Sequence, residues 1–121
     1  MKKSSFGIFL GLFTFVISTS CRHNPDIPAF PVVHFQSDVY PVISGNCSVP
    51  GCHDSGGSHV FSLAGYDQII SIVIAGDAQN SRLYTSISNH NFNTPMPPSH
   101  PLPDVAIKLI YLWIEQGAKN N

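Results

Sequence analysis

The order of apolar residues and helix punctuation in this chain predicts an all-α domain of about four short helices. The clearest sign is at the carboxyl end. Pro103 and Asp104 open a segment filled with apolar residues from Val105 to Ile114, broken mainly by Lys108, and Gly117 follows where helices favour a left-handed cap. A second sign is that two earlier stretches, beginning near Ser37 and near Asn80, each set a capping residue before a short apolar face. The third is size. Residues 36–121 form a small domain, and chains of this length commonly need a staple, metal or cofactor to complete their core.

The chain starts with an export signal over residues 1–20. Lys2 and Lys3 supply the positive start, Phe6 to Ile17 is an apolar run, and Ser18, Thr19 and Ser20 lead to Cys21. The apolar core, about twelve residues, is short for a permanent membrane helix, which needs roughly 20. A cysteine directly after such a core resembles the cleavage site of bacterial lipoproteins, which implies that Cys21 becomes the lipidated first residue. Ser18 departs from the Leu, Val or Ile preferred there. Several acyl chains on Cys21 would anchor the protein stably to a cell-envelope membrane, at the periplasmic or outer-membrane face. Arg22 after the cysteine leans toward the outer membrane. Residues 21–35, with Pro25, Pro28 and Pro31, read as a tether, with His23 and His34 exposed to solvent.

The domain proper follows over 36–121. Ser37 is a good N-cap and Asp38 suits the first turn. Val39, Tyr40, Val42 and Ile43 give an apolar face, Pro41 falls near the first turn, and Gly45 and Asn46 end this helix just before Cys47. Asp54 to His59 is a polar loop, after which Phe61 and Leu63 turn inward. Tyr66, Ile69, Ile70, Val73 and Ile74 follow helical spacing, while Ile70, Ile72 and Ile74 also fit the alternation of a strand. Gly76 and Asp77 make a turn. Asn80 or Ser81 caps a third helix carrying Leu83, Tyr84 and Ile87. Residues 89–103 hold five prolines and the thioether of Met96. In the last helix Val105, Leu109, Leu112 and Trp113 lie on one stripe and Ile107, Ile110 and Ile114 on another, so more than one partner must bury it.

The stretch that carries chemistry is Cys47-Ser48-Val49-Pro50-Gly51-Cys52-His53. Two thiols with a histidine directly after the second match the logic of covalent haem attachment, in which the thiols capture the porphyrin vinyl groups and the histidine binds iron. The usual spacing is C-x-x-C-H, and here the loop is two residues longer. Val49-Pro50-Gly51 is suited to a bulge, because proline fixes one dihedral and glycine accepts positive φ. Two other readings stay open. Cys47 and Cys52 could form a disulfide in an oxidising compartment, stapling a binding module with no cofactor. Alternatively, Cys47, Cys52 and His53 could bind zinc with His59 or His100, although no second ligand pair follows at the usual spacing.

Four features in fixed order resemble a small class I-like cytochrome c domain: the helix from Asp38 to Ile43, Cys47 with Cys52-His53, the loop Thr94-Pro95-Met96-Pro97-Pro98, and the ending Leu112-Trp113-Ile114-Glu115-Gln116-Gly117-Ala118. Asn80-Ser81-Arg82-Leu83-Tyr84 also looks like the helix before the methionine loop in such domains of environmental bacteria. The resemblance covers residues 36–119. It implies a haem c held by thioethers to Cys47 and Cys52, with His53 as proximal and Met96 as distal iron ligand. His100 and His90 are the alternatives to Met96. Arg82 could pair with a haem propionate, and Tyr84 and Trp113 could touch the ring.

The function so implied is a one-electron carrier of the periplasm or cell envelope, monomeric and docking with redox partner proteins. Composition agrees with what is excluded. Without its export signal the chain carries four cations against seven acids, near −3, and has no basic patch, so nothing draws it to nucleic acid. No nucleophile triad, phosphate loop or paired catalytic carboxylates can be assembled from the spacing, and the protein is expected not to be an enzyme.

Overall fold

A computed structural model describes residues 30–56, 61–88, 95–98 and 100–121. The described residues contain helices and no strand, consistent with the all-α expectation. A π-helical turn, Phe35–Val39, runs directly into α1, Tyr40–Asn46. Then come α2, Tyr66–Ile70, α3, Arg82–Ser88, and α4, Asp104–Glu115. None of the helices described is long and apolar enough to cross a membrane. The export signal, Cys21, most of the tether and His23 lie outside the described residues.

The first helical segment begins earlier than Ser37. His34 is its cap residue, and its carbonyl accepts from the backbone N–H groups of both Asp38 (3.1 Å) and Val39 (3.3 Å). Asp38 folds back so that its Oδ2 accepts from the His34 N–H at 2.8 Å, and Ser37 donates its hydroxyl to the other carboxylate oxygen at 2.9 Å. Those bonds hold the Asp38 carboxyl below its ordinary 3.8, the His34 N–H first among them. Pro41 sits in the first turn of α1, where its missing donor is not needed.

Tether and domain also meet differently from the expected boundary at residue 36. Val33 and Phe35 are buried, at 6% and 1% exposure. Polar bonds fasten this segment to the carboxyl end: Val33 N–H to Gln116 Oε1 at 2.8 Å, Phe35 N–H to Asn121 Oδ1 at 3.0 Å, and Gln36 N–H to the Asn121 carbonyl at 3.1 Å. His34, pointing away, is exposed.

The helical alternative holds for the ambiguous middle segment, but only over Tyr66–Ile70. A turn follows at Ser71 and Ile72, and the chain from Val73 loops back to α3. Ser81 organises that return. It is fully buried, accepts from the Ile74 N–H at 2.8 Å and donates to the Asp77 carbonyl at 2.7 Å, so its hydroxyl is spent on the preceding turn rather than on capping α3. Leu83 N–H then bonds the Ile72 carbonyl at 3.1 Å.

In α4 the buried residues are Ala106, Ile110, Trp113 and Ile114, spaced i, i+4, i+7, i+8. This single seam replaces the two expected stripes: Leu109, Leu112 and Ile107 are half-buried on its flanks, and Val105 is 74% exposed. The π turn and α3 pack on α4. Phe35 stacks on Trp113 at 5.4 Å between centroids and meets Tyr66 edge-on at 5.0 Å. The helix ends as its glycine predicts. Gly117 has φ +96°, its N–H bonds the Ile114 carbonyl at 2.9 Å, and the Ala118 N–H bonds the Trp113 carbonyl at 2.9 Å, the paired bonds of a Schellman cap.

Candidate functional site

The chain leaves α1 without a break. Cys47 N–H bonds the Ile43 carbonyl at 2.8 Å, continuing the helical ladder by one residue and fixing the first thiol at the helix end. The next four residues close a tight turn: Cys52 N–H donates to the Val49 carbonyl at 3.0 Å across Pro50 and Gly51, and Gly51 takes φ +83°. Proline second and a positive-φ glycine third is the sequence signature of a type II turn. His53 N–H then reaches back to the Cys47 carbonyl at 3.0 Å. The two extra residues are therefore absorbed in a turn bonded to itself, and both ends of the motif are brought together.

His53 is oriented from outside the motif. Its Nδ1 lies 3.0 Å from the Phe61 carbonyl oxygen. A carbonyl only accepts, so Nδ1 carries a proton, and in the neutral ring Nε2 then keeps its lone pair. That is the arrangement by which proteins fix the tautomer and direction of a metal-binding imidazole. Phe61 also packs its ring against the imidazole at 4.9 Å. The polypeptide is locked here twice more, by Leu63 N–H to the His53 carbonyl at 2.8 Å and Ser48 Oγ to the Leu63 carbonyl at 2.6 Å.

Across from the motif, Met96 is tied to α3 by its N–H to the Ser86 carbonyl at 3.0 Å. Between the two lies a cavity of about 380 Å³, within the size range of cofactor pockets and mostly apolar. Cys47, Cys52, His53 and Met96 all line it, with Phe61, Leu63, Ile72, Leu83 and Ile87 as its apolar wall. Arg82 is the single Lys or Arg among the described lining residues, and its guanidinium carbon stands 5.2 Å from the Phe61 ring centroid.

The other expected contacts resolve differently. Tyr84 packs on Tyr111 at 5.3 Å and Trp113 is buried under Phe35, and neither lines the cavity. His100 is exposed and is not among the described lining residues. His59 and His90 lie outside the described residues. Among the described residues no group of three or more His, Cys, Asp or Glu side chains converges, and His59, one of the ligands of the zinc reading, lies outside them. Ile72 and the Phe61 carbonyl are lining and orienting groups that sequence reasoning missed. The carbonyl could not be found from residue type, since any residue supplies one.

Both thiols are free, and they differ sharply. Cys47 is buried and Cys52 exposed. Burial, and secondarily the neighbouring Cys52, pushes the Cys47 thiol from 9.0 up to about 11. Because the folded state holds this proton more tightly than the unfolded chain, the contribution to stability is complete below about pH 9 and is lost as pH rises through about 11. In the haem-free chain with Cys21 replaced by serine, iodoacetamide at pH 8 is expected to modify Cys52 and spare Cys47, with Cys47 reacting as the pH approaches 11. Peptide mass mapping reads this directly, and equal labelling of the two at pH 8 would contradict it.

No family model, curated protein or solved structure matches this chain, so the reading of the site rests on its own residues and geometry.

Proposed function

We propose that this protein is an exported, lipid-anchored one-electron carrier of the bacterial cell envelope, with a haem c held covalently in the cavity between the Cys47–His53 loop and Met96. The observation that supports this most is convergence. Residues 43 to 49 positions before Met96 supply two thiols and an imidazole, and Met96 a soft thioether, to one apolar cavity. Their donor types fit: thiols for the vinyl groups, and His with Met for the two axial positions. When bound, haem would supply a reversible one-electron iron couple.

The chain's own residues do the rest. The turn through Pro50 and Gly51 presents both sulfurs, the Phe61 carbonyl aims His53, and the α3 backbone holds Met96. The apolar wall excludes water, and Arg82 offers a cation to a carboxylate at the ring periphery. With His53 and Met96 both held to the iron, the group would offer a substrate no place to bind, which favours one-electron transfer to a redox partner protein. A small docking patch suits such weak encounters.

The test is the wild-type protein expressed with haem-maturation machinery, denatured in alkaline pyridine and reduced. A covalent haem spectrum is expected, and whole-protein mass gives the attached group. Colourless protein, with zinc bound or with Cys47 and Cys52 in a disulfide, would overturn the reading. Within it, Met96→Ala is expected to remove the sulfur-to-iron charge-transfer band and to lower the reduction potential, since a thioether favours the reduced iron. An unchanged spectrum and potential would exclude Met96 and turn attention to His100 and His90.

A further inference from the structure

The surface of α4 opposite its buried seam carries a patch that the proposed carrier leaves unused. Val105 is 74% exposed, and Lys108, one turn on, places its ammonium 5.5 Å from the ring centroid of Phe30. Phe30 is 41% exposed and Val32 62%, while Val33 between Val32 and the core is buried. Alternation along this extended segment puts Phe30 and Val32 on one side of the chain, outward, and Val33 inward. Gln116 Nε2 bonds the Pro31 carbonyl at 3.3 Å, so the segment is laid along α4 rather than standing off it. Two aliphatic side chains, an aromatic ring and a lysine with a long apolar stem make an interfacial surface, while Asp104 beside Val105 leaves it with little net charge.

We propose that this face, Phe30, Val32, Val105 and Lys108, rests on the lipid bilayer. The inference depends on the proposed lipid anchor at Cys21. Only eight residues lie between Cys21 and Phe30, so even a fully extended chain reaches about 30 Å, and the anchor keeps this end of the domain near the membrane. The patch begins where that short chain ends. It lies where the tether enters the domain, and apolar side chains there gain by leaving water. The membrane then also sets the orientation of the site. None of the described cavity-lining residues comes from α4, whose buried seam faces the core. With α4 against the lipid, the described residues that line the cavity are not the ones that meet the bilayer, and the anchor restricts the domain's rotation instead of merely limiting its distance.

The test uses the mature, lipidated chain in vesicles of phosphatidylcholine and phosphatidylglycerol, with the photo-crosslinking residue p-benzoylphenylalanine placed at the position of Val105 and, separately, of the exposed Ser55 beyond the haem motif. After irradiation, mass spectrometry is expected to find phospholipid adducts several-fold more abundant at position 105 than at 55. A chain that is lipidated by mass and floats with the vesicles, yet shows no adduct at 105 or equal adducts at both, overturns the proposed face while leaving the anchor standing. Adducts at 105 to a second copy of the chain overturn it in favour of self-association. A chain without acyl groups on Cys21 overturns the anchor and this proposal together. Introducing Val32→Glu into the 105 variant is expected to reduce its lipid adducts severalfold, and no reduction counts against a continuous patch.

Discussion

If the proposed function holds, His53→Ala, produced as the full chain with haem-maturation machinery, is expected to lose the spectrum of a haem bound by both His53 and Met96, since no other described imidazole lines the cavity. The expectation follows from how singular this imidazole is among the described residues. Its Nδ1 is engaged by the Phe61 carbonyl while the residue lines the cavity, and His100 is exposed and not among the described lining residues. Folding is not expected to fail with it. The backbone bonds around position 53, to the Cys47 carbonyl and from the Leu63 N–H, involve no side chain and persist in alanine. Far-ultraviolet circular dichroism should therefore match the wild type while the haem band is lost. A variant that kept the wild-type spectrum would remove His53 from the iron and with it the central element of the proposed function.

Much of this site could be read from residue order because its local chemistry is local. Proline and glycine inside the two-thiol loop announce a turn, and the turn forms across Val49 to Cys52. Gly117 announces a left-handed cap, and the paired bonds of that cap follow. Helix faces were less legible. A segment as uniformly apolar as Val105 to Ile114 offers several stripes of similar hydrophobicity, and which one is buried depends on what packs there. Phe35 and Val33 decide it, and both lie in a proline-bearing stretch whose composition suggests a tether. Their burial depends on bonds to Gln116, Asn120 and Asn121, more than 80 residues away, and no periodicity within residues 21–35 reports such a partner. Ser81 is similar. A serine before a helix looks like a cap, but its hydroxyl is taken by Ile74 and Asp77 because the preceding loop folds back over it. The convergence of Met96 with His53 across one cavity was expected only through the family resemblance, since a loop of prolines carries no signal for what it faces.

The same long-range seam predicts the largest effect on stability. Trp113→Ala is expected to cost about 3–5 kcal/mol, the range for truncating a fully buried large aromatic side chain. Trp113 is 1% exposed, contacts Phe35 and Tyr66 in tilted and edge-on pairings, and donates its indole N–H to the Lys119 carbonyl at 2.9 Å. Its removal opens a cavity, breaks both aromatic pairings and leaves that carbonyl without its donor. In a small domain with a total stability of about 5–15 kcal/mol, that is a large share. Trp113→Phe keeps most of the volume but not the donor and is expected to fall between the two, whereas Val105→Ala, at an exposed position, should stay within about 0.5 kcal/mol of wild type. Urea unfolding followed by circular dichroism separates them, and a Trp113→Ala cost below about 1 kcal/mol would mean the seam is not the centre of the core. The loss should not be uniform along the chain. Phe35 rests on the indole, and the segment from Val33 to Gln36 is otherwise held by exposed or half-buried polar bonds to the carboxyl end, so hydrogen exchange in Trp113→Ala is expected to accelerate first in that amino-terminal segment. The Cys47–His53 loop, whose closing bonds run within itself and to Phe61 and Leu63, should keep its protection longer. If exchange rose equally in both, the Cys47–His53 loop and the α4 seam would be one cooperative unit, and the candidate site would depend on Trp113 as directly as on His53.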